Sequence, residues 1–194
     1  FAALGLCALG LVAMTNQLTM LLSIPGIVLA ATYPYAKRFT YLPQVHLGLA
    51  FGWAVPMAYA AQTDALPALA WLIMTAAVLW AVVYDTQYAM VDRNDDLLVG
   101  VKSTAILFGD LDRVFVSGFQ VLVLLSLLVV GLQADLGSYY YAALAIGTAL
   151  FLYQMRLIWR REREGCFAAF LNNNWFGAVI FAGIYTDYAF GASL

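Results

Sequence analysis

Apolar residues run along this chain in long blocks, without the stripe of a surface helix or the alternation of a half-buried strand, so the interruptions carry the information. Crossing a hydrocarbon core as a helix takes roughly 20 consecutive apolar residues, and blocks of that order predict seven helical segments. The first is a partial helix from Phe1 to Met14, stopped by Thr15-Asn16-Gln17. A second runs from about Leu18 to Tyr35 with Pro25 inside, which membrane helices tolerate. A third runs from about Gln44 to Ala61, contains Pro56, and is broken by Gln62-Thr63-Asp64. The fourth runs from about Leu66 through Tyr84 and continues, increasingly polar, to about Asp92. The remaining three span Val114 to Leu132, Tyr139 to Tyr153 and Phe167 to about Tyr188. No repeat or low-complexity linker divides them. The expected fold is therefore all-α, a polytopic transmembrane helical bundle forming a single membrane-embedded domain over residues 1–194.

Composition agrees with this reading. Of the 194 residues, 64% are hydrophobic and 10% charged, against about 25% charged in an ordinary soluble domain. A soluble fold of this size could not cover so much apolar surface, so the bilayer is expected to be its solvent. A net charge of −2 points away from a nucleic-acid partner. Cys7 and Cys166 stand apart, with no CxxC, and read as buried apolar residues. His46 is the single histidine and cannot form a histidine metal site alone.

The positive charges fix an orientation. Lys37 and Arg38 follow the second segment; Arg93, Lys102 and Arg113 follow the fourth; Arg156, Arg160, Arg161 and Arg163 follow the sixth. These are all nine basic residues, and they occupy alternate connections only. By the positive-inside rule those connections are cytoplasmic, and the alternation supports the segment count.

Four constellations on that side can carry chemistry. In Tyr84-Asp85-Thr86-Gln87-Tyr88-Ala89-Met90-Val91-Asp92-Arg93-Asn94-Asp95-Asp96, the carboxylates of Asp85, Asp92 and Asp96 share one helical face. Like charges at that spacing repel unless a cation lies between them, and oxygen ligands of this kind suit Mg²⁺ together with substrate phosphates. A solvated acidic helix end is the alternative, preferred for Asp95; Asp85 lies close behind an apolar span, where ionisable groups are costly and usually functional. The loop Gly100-Val101-Lys102-Ser103-Thr104 offers a lysine and two hydroxyls to a phosphate, although Lys102 by itself also serves as a topology anchor. Tyr33-Pro34-Tyr35-Ala36-Lys37-Arg38-Phe39-Thr40-Tyr41 sets two cations among aromatic rings. That is either an interfacial belt or a site for a planar anion, with Arg38 on a carboxylate and the rings stabilising a cation. Asn172-Asn173-Asn174 reads as a cap or cavity mouth at the start of the last helix, and Arg160-Arg161-Glu162-Arg163-Glu164 as a solvated face drawn to anionic lipid.

The strings Asp85-Thr86-Gln87-Tyr88-Ala89-Met90-Val91-Asp92-Arg93-Asn94-Asp95-Asp96 and Gly100-Val101-Lys102-Ser103-Thr104-Ala105 closely resemble the second aspartate motif of the UbiA superfamily of intramembrane prenyltransferases. Tyr33-Pro34-Tyr35-Ala36-Lys37-Arg38, Leu42-Pro43-Gln44 and the stretch from Arg161-Glu162-Arg163-Glu164 to Asn172-Asn173-Asn174 resemble its bacterial branch acting on 4-hydroxybenzoate. The resemblance implies a nine-helix fold, about seven segments of which are present, around a cavity open to the cytoplasm and the lipid of a bacterial inner membrane. It implies Mg²⁺ on the diphosphate of a polyprenyl donor, with Asp92 and Asp96 as metal ligands and Asp85, Asp92 and Asp96 as the catalytic carboxylates. Lys102 matches a diphosphate contact and Arg38 the residue holding the aromatic acid, with Lys37, Tyr33, Tyr35 and Tyr88 beside the substrates. The expected reaction is transfer of the polyprenyl group from polyprenyl diphosphate to 4-hydroxybenzoate in ubiquinone biosynthesis. The family's first motif, NDxxDxxxD, has no counterpart here. It is expected before Phe1, which leaves the metal site half built and the chain inactive alone. Phe1 begins no signal peptide, since a basic n-region and a cleavage site are lacking. Rival readings are another acceptor, such as a naphthoate, homogentisate, haem or chlorin, and a non-enzymatic transporter using the acidic helix for ions.

Overall fold

A computed structural model describes residues 2–191 of the chain, and among them every regular element is helical. In chain order they are α1 (Ala2–Ala13), α2 (Gln17–Thr32), a 3-10 turn (Tyr33–Tyr35), α3 (Ala36–Phe39), α4 (Pro43–Gly52), α5 (Ala54–Thr63), α6 (Ala68–Val99), α7 (Thr104–Phe108), a second 3-10 turn (Gly109–Leu111), α8 (Asp112–Gln133), α9 (Ser138–Ile158) and α10 (Arg163–Phe190). Five stretches are long and apolar enough to cross a membrane: Gln17–Phe39, Ala68–Val99, Thr104–Gln133, Ser138–Ile158 and Arg163–Phe190. The expected polytopic helical bundle is thus present.

The departures from expectation have local causes. The third segment is two helices of 10 residues each, α4 and α5, meeting at Trp53. Pro56 has no N–H to give the Gly52 carbonyl, which lies four residues back, and the ladder breaks there. By contrast α2 continues through Pro25. The fourth segment outruns its expected end at Asp92, because the helix holds its hydrogen bonds to Val99 and stops at Gly100 in the left-handed conformation (φ +73°). The last helix begins at Arg163, so Asn172-Asn173-Asn174 lies in its third turn and caps nothing. The first segment is described from Ala2, and Phe1 lies outside the described residues. Its helix packs mainly on α2, with Cys7 exposed, contrary to expectation, whereas Cys166 is buried.

Packing centres on α6, which contacts α4, α8 and α10; α8 packs on α9, and α9 on α10. Toward the other side α4 and α5 contact α2, and α2 contacts α1. Small residues let the backbones approach closely, as membrane bundles require when lipid competes equally for apolar surface. A Cβ on Gly48 of α4 would stand 2.9 Å from the Val78 carbonyl oxygen of α6, and one on Gly183 of α10 only 2.3 Å from the Ala143 Cβ of α9. The core of α6, α8, α9 and α10 has two apolar layers. One holds Val83, Met90, Val116, Ile158 and Cys166; the other holds Ala76, Val123, Phe151, Phe176 and Ile180. Between these layers in sequence, on α8, α9 and α10, come the amides Gln120, Gln154 and Asn173, and on α6 Gln87 lies within the first layer, between Val83 and Met90.

Candidate active site

The acidic stripe belongs to the second half of α6, and the helical ladder alone puts Asp85, Asp92 and Asp96 on one side of it. Asp96 is buried, and Asp85 and Asp92 are half-buried. Facing them is the 33–44 segment. The 3-10 turn and α3 carry Lys37 to within 3.9 Å of the Asp96 Oδ2. The first turn of α4 carries Gln44, fully buried, toward Asp85. Gln44 Oε1 accepts a hydrogen bond from the Thr104 N–H at 3.1 Å, which ties α4 to the start of α7. The Lys102 N–H donates to the Lys37 carbonyl at 2.9 Å, its Nζ lies 3.4 Å from the Phe39 carbonyl, and the same ammonium sits 5.2 Å from the Tyr41 ring centre. Asp85, Asp92, Asp96, Lys37 and Lys102 are therefore gathered at one end of α6.

Other expected residues fare differently. Arg38, Tyr33 and Tyr35 are exposed on the same segment and do not close on the acidic stripe. Tyr88 points to α10, with its ring 5.0 Å from that of Phe170. Trp80, Tyr84, Phe170 and Asn174 line a cavity of about 320 Å³ one to two turns further along. Ser103 and Thr104, the expected phosphate donors, are fully buried. The Ser103 hydroxyl accepts from the Ile106 N–H and caps α7, while the Thr104 hydroxyl is buried 2.7 Å from that of Thr86. The Arg160–Glu164 run is a solvated face except at Arg161, which turns inward to Asp112, whereas Arg163 stays exposed. Arg163 reaches Asp95 at 3.0 Å and Asp92 at 3.7 Å.

Two polar atoms at this end are buried without a hydrogen-bond partner: Asp96 Oδ2 and Gln44 Nε2. Orphaned buried polar atoms are uncommon and costly, and here they flank the same carboxylates. Among the described residues no three His, Cys, Asp or Glu side chains converge to hold a metal. Asp92 and Asp96 nonetheless fit a hard divalent cation that takes its other oxygens from phosphates and water.

Two features of the site region escaped the sequence reading. The first is an ionic clamp under the site. Asp112, fully buried at the start of α8, accepts three hydrogen bonds of 2.8–3.0 Å from the Arg161 guanidinium and a longer one, 3.4 Å, from Arg93. The Asp112 hydrogen bonds, with its charge, push the Arg161 guanidinium above its ordinary range and keep it charged. An acid at a helix N-terminus is the only sequence signal for it. The second is an amide network. Gln154 Oε1 accepts from Gln87 (3.0 Å) and Gln120 (3.1 Å), and Gln154 Nε2 donates to Asn172 (3.1 Å). Asn173 donates to Gln87 (2.7 Å) and accepts from the Trp80 indole (2.9 Å). Lone amides within apolar runs were its signal, since such groups pair across membrane helices.

A bundle of membrane helices presenting carboxylates and basic side chains together at one end defines a multi-pass integral membrane protein with a charged site. The profile described as the UbiA prenyltransferase family matches residues 1–182, and the chain belongs to the UbiA prenyltransferase family. It is 56% identical over 191 residues to the 4-hydroxybenzoate octaprenyltransferase of Alkalilimnicola ehrlichii, covering 98% of this chain and 65% of that protein. It is 53% identical over 188 residues to the 4-hydroxybenzoate octaprenyltransferase of Methylococcus capsulatus, covering 97% of this chain and 64% of that one. The chain thus spans a little under two thirds of the length of these relatives. Among solved structures, a UbiA homolog from Aeropyrum pernix K1 superposes with a TM-score of 0.80 at 25% identity, covering 93% of this chain and 68% of that one. The structure of a digeranylgeranylglyceryl phosphate synthase shares the fold, with a TM-score of 0.75 at 17% identity over 96% of this chain and 67% of that one.

Proposed function

We propose that this chain carries part of the active site of an enzyme that transfers a polyprenyl group from polyprenyl diphosphate to the ring of 4-hydroxybenzoate, in ubiquinone biosynthesis at a bacterial inner membrane. The observation that carries the reading is the convergence of Asp85, Asp92 and Asp96 with Lys37 and the Lys102 segment, where Asp96 Oδ2 and Gln44 Nε2 are buried without a hydrogen-bond partner. The names of the similar proteins supply donor and acceptor.

In this mechanism the donor's allylic C–O bond breaks and its electron pair leaves with the diphosphate. Asp92 and Asp96 would hold Mg²⁺, which when bound supplies positive charge against the leaving group. Lys102 and Lys37 add cationic charge from the opposite wall. The rings of Tyr33 and Tyr35, exposed in this chain, and of Tyr88 would have to close on the allylic cation to shield it and stabilise it through their faces. Arg38 holds the acceptor carboxylate and so orients the ring. The ring carbon ortho to the phenol forms the new C–C bond, and Asp85 hydrogen-bonds the phenol and takes the ring proton. The cytoplasmic orientation follows from the one-sided basic residues.

The test joins this chain to the part of the A. ehrlichii protein outside the matched region and assays purified membranes with polyprenyl diphosphate and 4-hydroxybenzoate. Prenylated acceptor and free diphosphate are expected only with Mg²⁺ present. Asp92→Ala should abolish turnover, and Arg38→Ala should raise the KM for the acceptor and not for the donor. Donor left intact, or Asp92→Ala retaining full Mg²⁺-dependent activity, would refute the proposal.

A further inference from the structure

At the basic end of the bundle, the end of α9 and the first turn of α10 line a groove of about 890 Å³, to which none of Asp85, Asp92 and Asp96 contributes. This volume lies within the range of small-molecule sites, about 300–1,000 Å³. Its shape follows from a close backbone approach. A Cβ on Gly165 would stand only 2.4 Å from the Leu157 carbonyl oxygen, so the start of α10 can lie this near α9 only because the residue is glycine.

The lining is graded along the helix. Ala149, Leu152 and Tyr153 form an apolar track, and Arg156 and Arg160 close its end. From Ala149 to Arg156 the helix rises about 10 Å, so the groove offers an apolar trough with guanidinium groups at its mouth. Most arginines near this end are engaged. Arg161 is held by Asp112, Arg163 by Asp92 and Asp95, and Arg113 by the Trp159 carbonyl and ring. Arg156 and Arg160 are different. Arg156 makes no ion pair among the described residues, and Arg160 has only Glu162, 4.0 Å away and exposed, a pairing of little strength in water. Trp159, 65% exposed, stands beside them in the position of an interfacial anchor.

We propose that this groove is a binding site for an anionic phospholipid, with Arg156 and Arg160 on the phosphodiester and an acyl chain along Ala149, Leu152 and Tyr153. Two forked donors suit phosphate oxygens, and the adjoining apolar track selects an amphiphile over a free phosphate. The site is independent of the proposed transfer reaction.

The test uses the purified chain in nanodiscs containing equal phosphatidylglycerol and phosphatidylcholine, with retained lipid counted by native mass spectrometry. A basic side chain at an anionic surface contributes a preference of about fivefold. R156A/R160A should therefore cut the retention of phosphatidylglycerol over phosphatidylcholine by about twenty-fivefold. A149W keeps both arginines but fills the track, and should lower retention of both lipids. Photoreactive phosphatidylglycerol should label residues 149–165. Equal retention of the two lipids by the parent chain, an unchanged preference in R156A/R160A, or labelling confined to other segments would overturn the proposal. So would displacement of phosphatidylglycerol by an equimolar polyprenyl diphosphate, which would assign the groove to the donor.

Discussion

Asp112 gives the sharpest energetic prediction. Its carboxylate is fully buried and binds two arginines that come from different parts of the chain, Arg93 on α6 and Arg161 in the α9–α10 connection. Removing one partner of a buried pair costs about 3–5 kcal/mol, because the remaining charge is stranded. Arg161 and Arg93 keep 28% and 27% of their side-chain exposure, so both recover some hydration and Asp112→Ala should fall at the lower limit, about 3 kcal/mol. Arg161 adds a second signature. It sits at φ +56°, in the left-handed region, which costs a non-glycine residue about 1–2 kcal/mol. Arg161→Ala loses the clamp and keeps the strain, whereas Arg161→Gly loses the clamp and relieves it. The glycine variant should therefore be more stable than the alanine variant by about 1 kcal/mol. The assay is equilibrium unfolding of the purified chain in mixed micelles titrated with dodecyl sulfate. In the double variant Asp112→Ala/Arg161→Ala the losses should fall short of additive by at least about 1 kcal/mol. An Asp112→Ala variant within about 0.5 kcal/mol of the parent, or strict additivity, would refute the clamp, since that is the range of a surface substitution.

Two further outcomes follow from packing. Gly48→Ala would press a methyl group against the Val78 carbonyl and move α4 off α6; about 1–3 kcal/mol should be lost in the same titration, and the completed enzyme should lose activity because Gln44 moves with α4. Gln154→Leu would strand the amides of Gln87, Gln120 and Asn172, costing about 1–3 kcal/mol, and Gln154→Glu, which keeps the acceptor oxygens for Gln87 and Gln120, should separate lost hydrogen bonding from lost shape by thermal unfolding.

How far the chain was legible beforehand depended on whether a feature is local. Segment existence was legible because an apolar run is a property of consecutive residues, and the acidic stripe was legible because the spacing of Asp85, Asp92 and Asp96 fixes their face once α6 is a helix. The split at Trp53 turned on whether Pro56 would bend or break a helix, as Pro25 does not break α2. Which arginine is free was invisible. Arg160, Arg161 and Arg163 look alike in sequence, and only the fold decides that Asp112, 49 residues away, claims Arg161. The amide layer was half legible. Gln87, Gln120 and Gln154 each interrupt an apolar run, but their mutual hydrogen bonds need α6, α8 and α9 in register. Set between two apolar layers, that network penalises any sliding of one helix along another, because a slipped amide would face hydrocarbon unpaired.

The same geometry bears on Asp85. At about 1.5 Å per residue, the 32 residues of α6 extend about 48 Å, well beyond a hydrocarbon core of about 30 Å. Asp92 and Asp96 lie on its last turns, beside Lys37 and Arg163, where water and counter-ions are close. Asp85 lies about 10 Å deeper than Asp92 along the axis, faces the side-chain amide of Gln44, and has no ion pair among the described residues. A carboxylate placed there weakens the bundle, and folding alone would favour an amide, which is uncharged and can pair with Gln44. Asp85→Asn should therefore leave unfolding in mixed micelles unchanged or raise its free energy by about 1 kcal/mol, in the manner of other active-site substitutions that stabilise a protein at the expense of its activity. In the completed enzyme the same substitution should lower kcat by about 10²-fold or more, the scale on which a general base contributes, with little change in the donor KM. A variant both less stable and equally active would show that Asp85 serves the fold, and would remove it from the proposed chemistry.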